Sequence, residues 1–249
     1  MNAALAAAGL APGLVLGSFL NVVAARVPLR RSVVRPGSAC MSCGTELAWR
    51  DNVPLLSWLA LRGRCRHCDA RIPLRYPAVE LATALLVGAC LLVYGLTAYA
   101  VLAAGFCAVL VAISAIDLEH RIVPNRIVVP ATVAVLAAHT LVDPSPEWML
   151  GALGAFSFLL AAALVHPAGM GMGDVKLAAL LGAMLGRNVA VALMAGMVAA
   201  LLPSVVLFAR HGAGARKMGF PFAPFLALGA VVALFLGDLV LDAYLNRLS

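Results

Sequence analysis

The chain is short of charge. Of its 249 residues only 12% are Asp, Glu, Lys or Arg, and the acids number just 11. Aromatic residues are scarce too, at 6%. Apolar residues fill the space: 63% are hydrophobic and the mean hydropathy is +1.01. A soluble domain is nearer about half apolar and about a quarter charged, so an ordinary soluble fold is excluded in favour of a polytopic membrane protein. The net charge of +7 would suit nucleic acid, but no stretch resembles a soluble nucleic-acid module. There is no repeat of about 20–50 residues and no low-complexity tail. No cation precedes the first apolar run, the first being Arg26 after it. A cleaved signal peptide carries its basic region first, so 5–23 reads as a retained first span.

What charge there is lies unevenly. The only long polar segment, 24–76, holds ten of the 18 cations and four of the six cysteines. Beyond Pro77 the chain is nearly all apolar, with spans expected at about 78–95, 98–116, 127–142, 147–166, 175–187, 188–209 and 221–245. The stretch 175–187 is short for a hydrocarbon core of about 30 Å, whereas 175–209 is too long for one untilted span. With the N-terminus outside, the loops 24–77, 117–126, 167–176 and 210–220 face the cytoplasm and hold 16 cations. Only Arg187 and Arg247 remain outside. That asymmetry is what the positive-inside rule requires.

Two of the few acids then meet at one depth. Asp117 ends the third span and Asp174 opens the sixth, both at the cytoplasmic boundary. Asp174 follows the glycine-rich run Gly169-Met170-Gly171-Met172-Gly173, where a second backbone could approach closely. A carboxylate at membrane depth is costly, and therefore a functional candidate. Two nearby carboxylates cannot both ionise cheaply and share a proton. One can then act as base on a water while the other protonates a peptide carbonyl, which is aspartic proteolysis. The plainer alternative is two unrelated helix-end acids, Asp174 capping its helix and each paired with Arg121 or Lys176. Glu119, two residues from Asp117, points elsewhere on a helix and is a candidate for substrate contact or for Arg121. Gly171 and Gly173 could let a substrate strand pair through its backbone, and Lys176 could orient Asp174 or snorkel.

The cysteines Cys40, Cys43, Cys65 and Cys68 form two C-x2-C pairs separated by 21 residues. Each pair can grip a tetrahedral ion through thiolates, and a cytoplasmic loop is too reducing for structural disulfides. Structural zinc is expected, folding a loop too small and basic to build its own core. Cys90 and Cys107 lie within spans and read as packing residues.

Acids and cysteines together resemble the type IV prepilin peptidases, GxGD-type intramembrane aspartic proteases. The resemblance runs from Gly17-Ser18-Phe19-Leu20-Asn21 through Asp51-Asn52-Val53-Pro54, Ser57-Trp58-Leu59 and Arg75-Tyr76-Pro77 with Glu80. It continues at Asp117 with Pro124-Asn125, at Gly171-Met172-Gly173-Asp174-Val175-Lys176, and at Pro221-Phe222-Ala223-Pro224. Met41 departs from it, standing where the family often has proline. The resemblance implies an all-α polytopic membrane protein of about eight transmembrane helices, with a small cytoplasmic zinc-binding loop between the first two. It divides the chain into a first helix 1–23, a zinc loop 24–77 and a protease domain 78–249. It also implies a bacterial inner-membrane enzyme that removes the basic leader of prepilins or pseudopilins by Asp117, Asp174 and water, usually after a glycine. Many members then N-methylate the new terminus with S-adenosylmethionine, and the resemblance would place that activity in the zinc loop. The alternatives are a transporter using the two acids as a proton or cation site, and a non-catalytic scaffold whose zinc loop binds a partner. Neither accounts for acids and cysteine loop together.

Overall fold

A computed structural model describes residues 2–166, 170–212 and 220–247, so Gly169, Arg216 and Lys217 lie outside the described residues. Apart from two isolated bridges, the regular structure among the described residues is helical. The chain forms two compact units, 1–115 and 116–249.

The first unit contains α1 (Asn2–Arg26), the short α2 (Leu56–Ala60), α3 (Arg75–Tyr94) and most of α4 (Ala98–His120). Glycines four apart, Gly9, Gly13 and Gly17, form one stripe of α1, and α3 lies directly on it. A Cβ on Gly13 would stand 2.7 Å from Ala84 Cα, and one on Gly17 would stand 2.6 Å from Glu80 Cα. Without a hydrophobic drive between helices in lipid, such small faces bring backbones close enough for dispersion to hold them. Nearer the polar loop, Leu20, Ala108 and Ala112 are buried together against Leu16, Val79 and Val111.

The second unit comprises α5 (Asn125–Val142), α6 (Pro146–Val165), α7 (Met172–Leu185), α8 (Val189–His211) and α9 (Ala223–Leu245). At its centre is α7. Val175, Leu177, Ala178, Leu180, Leu181, Ala183 and Met184 are all fully buried, with α5, α6, α8 and α9 as neighbours. The backbones of α6 and α7 touch at Gly151 and Gly182, where a Cβ on Gly182 would collide with the Gly151 carbonyl. Sheathing explains the short helix: its 14 residues cover about 21 Å, and protein rather than lipid meets its sides.

A 3-10 turn, Gly186–Asn188, separates α7 from α8. There Glu147 accepts the Arg187 backbone N–H at 2.9 Å. Asp238, which sequence reasoning leaves without a role, accepts from Arg187 Nη2 at 3.2 Å and Asn188 Nδ2 at 2.9 Å. By length and composition seven helical stretches can cross a membrane. The sixth, Met172–Arg210, is 39 residues long and contains both α7 and α8, so seven stretches stand where about eight spans were expected, the 14-residue α7 being too short to count alone.

Candidate active site and metal centre

Asp117 sits in the last turn of α4, which ends at His120; Arg121 then turns with φ of 55° and Pro124 precedes α5. Asp117 is 5% exposed. Its Oδ2 accepts the backbone N–H of Ala223, the first residue of α9, at 3.0 Å, and the Phe222 amide also faces it. Buried, this carboxylate is held where the α9 N-terminus points its unpaired amides.

Asp174 sits in the first turn of α7, three residues past the Gly171 cap. Its carboxylate faces the Gly171 amide, as an acid in a capping box does, and lies close enough to Asp117 to feel its charge. The cap position of α7 is taken by Gly171, with Asp174 in the first turn behind it. The flanking segments also touch. A Cβ on Gly173 would stand 2.8 Å from Val123 Cβ, and Lys176 Nζ donates to Asn125 Oδ1 at 3.0 Å. The hydrogen bond of Lys176 thus goes to Asn125, at the start of α5, where the sequence suggested Asp174 or the headgroups. Gly171 is exposed beside the Asp174 carboxylate, its would-be Cβ 3.5 Å from Oδ2. Glu119 is exposed, 3.8 Å from His120 Nε2.

The α9 amide is the site group that side-chain reasoning misses. Backbone donors leave no chemical signature, and only the prolines Pro221 and Pro224 mark a helix start there.

The polar loop brings its four cysteines together. Their sulfurs all lie within 4.8 Å of one another, with Cys40 and Cys68 3.7 Å apart. A tetrahedral ion with bonds of about 2.3 Å would set its sulfurs about 3.8 Å apart, so these four residues fit one metal ion. The two C-x2-C pairs are backbone copies of each other. Cys40 N–H donates to Thr45 O and Cys65 N–H to Ala70 O, each at 2.9 Å. The residue after each pair, Gly44 and Asp69, has positive φ, 71° and 57°. The Thr45 hydroxyl and backbone beside Cys43 hold its thiol pKa down at about 6. Against the lowering effect of the Ala70 amide, burial and the neighbouring thiols push Cys68 up to about 12. Four thiols this close cannot all ionise without a cation among them. Beside them Asp51 is locked in a fork by Arg66, with contacts of 2.7, 3.0 and 3.1 Å.

The comparisons with known proteins divide the chain similarly. Residues 12–94 match the bacterial peptidase A24 N-terminal domain, and 104–237 match the type IV leader peptidase family. A Bacillus subtilis protein named prepilin leader peptidase/N-methyltransferase is 35% identical, over 94% of this chain and 95% of its own. A Pseudomonas aeruginosa protein of the same name is 36% identical over 94% and 91%. One from Myxococcus xanthus is 44% identical, covering 82% of this chain and 64% of its own. No solved structure matches the chain.

Proposed function

The chain belongs to the type IV leader peptidase family, and from that premise we propose that Asp117 and Asp174 form its catalytic pair, cleaving the leader from prepilins or pseudopilins. The observation that carries the reading is their meeting: two scarce acids from α4 and α7, close enough to interact, one of them buried on the first amide of α9. Held together in a low-dielectric site, the pair keeps one proton. The ionised member takes a proton from a water, which attacks the scissile carbonyl carbon. The protonated member gives its proton to the carbonyl oxygen. Collapse of the tetrahedral adduct returns a proton to the leaving amine.

Gly171, exposed at the mouth of the pair, gives a substrate backbone room to approach Asp174, while Gly173 fits α7 against Val123. Lys176 fixes the start of α5 to α7 through Asn125, and Glu119 on the exposed side of α4 offers a charge to a basic leader. In this reading the four cysteines hold zinc within the loop 24–77, 78–249 carries the proteolysis, and both face the cytoplasm of a bacterial inner membrane. The basic leader then stays in water while the apolar pilin stem enters lipid. The chain's relatives are named N-methyltransferases as well, and in this reading S-adenosylmethionine supplies the methyl group to the product's new terminus.

Detergent-purified protein incubated with several prepilins and read by intact mass tests this. Loss of the leader mass is expected. Intact prepilin in every case, from zinc-replete folded protein, would overturn it.

A further inference from the structure

Within α7, about 17 Å of helix separates Asp174 from Leu185. Beyond that far end the second unit holds a groove of about 430 Å³ that proteolysis leaves unused. Its volume falls within the range of about 300–1,000 Å³ of ligand sites. Leu150, Gly154 and Ala155 of α6 and Val189 of α8 give it apolar walls. Leu150 is 65% exposed, and a Cβ on Gly154 would meet nothing within 4 Å, so the groove stands open along α6. Its other end is charged: Glu147, in the first turn of α6, and Arg187, in the turn before α8, both line it. Beyond Glu147, α6 carries no charged residue.

Both charges are held in place. The Glu147 backbone N–H donates to Ser145 Oγ at 3.2 Å, and Glu147 Oε1 accepts the Arg187 backbone N–H at 2.9 Å. The carboxylate rests on the bare backbone of Gly186, where φ is 53° and a Cβ would stand 2.5 Å from Oε1. A carboxylate has about four acceptor positions, so one backbone bond leaves room for a further donor. Arg187 Nη2 donates to Asp238 Oδ1 at 3.2 Å, and Asn188 Nδ2 donates to the same oxygen at 2.9 Å. The Arg187 side chain is still 57% exposed, and a guanidinium carries five N–H donors. This end therefore sets two carboxylates, Glu147 and Asp238, beside one guanidinium, at the head of an apolar groove on a membrane-crossing helix.

We propose that this groove binds one phospholipid whose headgroup carries a primary ammonium. The phosphate accepts from the Arg187 guanidinium, the ammonium donates to Glu147, and the upper part of an acyl chain lies along Leu150, Gly154 and Val189. Charge decides between headgroups. An anionic glycerol headgroup brings no cation to an end where carboxylates outnumber the guanidinium, so it is repelled. A choline headgroup is a cation but has no N–H to donate to Glu147. A primary ammonium has three. An apolar helix laid in the same groove would take Glu147 and Arg187 out of water without pairing them, which is costly. In the orientation read above, this end of α7 faces away from the cytoplasm, so the lipid belongs to the outer leaflet. Bound there, it joins α6 to the start of α8 across the turn that ends α7.

Native mass spectrometry of the full, zinc-loaded chain in detergent tests the site, with phosphatidylethanolamine, phosphatidylcholine and phosphatidylglycerol of matched acyl chains titrated in turn. One phosphatidylethanolamine per chain is expected, bound about tenfold or more tighter than either other lipid, the worth of a charge-assisted contact. Gly154→Leu sends a side chain into the groove where the fold leaves open space, and should abolish the selective binding. Glu147→Gln keeps an acceptor for the Arg187 N–H and should erase the preference over phosphatidylcholine. Melting temperature and zinc content, measured on the same samples, report folding. Equal retention of the three lipids by wild type would mark ordinary boundary lipid and overturn the site. So would a preference for phosphatidylethanolamine that stays within twofold of wild type in both folded variants. A lipid-free chain that is dimeric, and that Gly154→Leu renders monomeric, would give the groove to a second copy and overturn the lipid assignment.

Discussion

Asp117 offers a way to separate chemistry from folding. Its Oδ2 accepts the Ala223 N–H, and an asparagine can still accept that bond through its own carbonyl oxygen. Asp117→Asn should therefore keep its melting temperature and lose about 10²-fold or more in cleavage rate, since acid–base transfer is removed. Asp117→Ala should lose activity equally and also stability, by about 1–3 kcal/mol, because the amide is left buried and unpaired. Thermal unfolding in detergent beside a cleavage assay distinguishes them, and equal melting temperatures for the two would contradict the anchoring role. In the loop, hydrogen bonds from Arg66 hold the Asp51 carboxyl below the usual carboxylate range. A carboxyl lowered in the folded state adds stability above its ordinary value of about 3.9, lost as pH falls through the folded value. The extra protease resistance of the wild-type loop over Asp51→Asn should therefore be constant above about pH 5 and vanish only in stronger acid. A gap that closes near neutrality would contradict the pairing.

At the scale of elements, α7 and the cysteine loop answer to different forces. The helix is fixed by backbone-to-backbone contact at Gly151 and Gly182, which no larger residue can enter. Gly182→Leu should cost about 3 kcal/mol or more and displace Asp174, lowering both melting temperature and cleavage. The loop has almost no buried apolar side chains, so an ion held by the four cysteines would supply its folding energy. Chelation should release one zinc per chain and make 24–77 protease-sensitive while the membrane helices retain their circular dichroism.

Much of this was legible in the sequence. The acids, the C-x2-C pairs and the helix order show as rare polar residues against an apolar background. What escaped is carried by backbone. Sequence reading starts α7 at 175, whereas it begins at Met172, because Gly171 caps it and Gly173 joins its first turn against Val123. The kinship of the two C-x2-C turns rests on amide bonds and on positive φ at Gly44 and Asp69, residues unlike in type. The Gly9–Gly13–Gly17 stripe carries no hydropathy signal. The Ala223 amide has no side-chain signature at all.

For the whole molecule, two units divide the chain at 115 and 116, inside the start of the second family match, 104–237. The first carries the four-cysteine group that could hold a metal ion. The second carries the paired acids. Such a division suits an enzyme whose relatives are named for two activities, and it predicts that variants in one unit impair one reaction selectively. The most direct test of the central claim compares wild type, Asp117→Asn and Asp174→Asn in single-turnover cleavage of one prepilin, followed by intact mass. All three proteins would be matched for zinc content and melting temperature. The account predicts leader loss by wild type and unchanged prepilin with either variant. Cleavage by either variant within about tenfold of wild type would contradict the pair, because a lost general acid or base costs about 10²-fold or more.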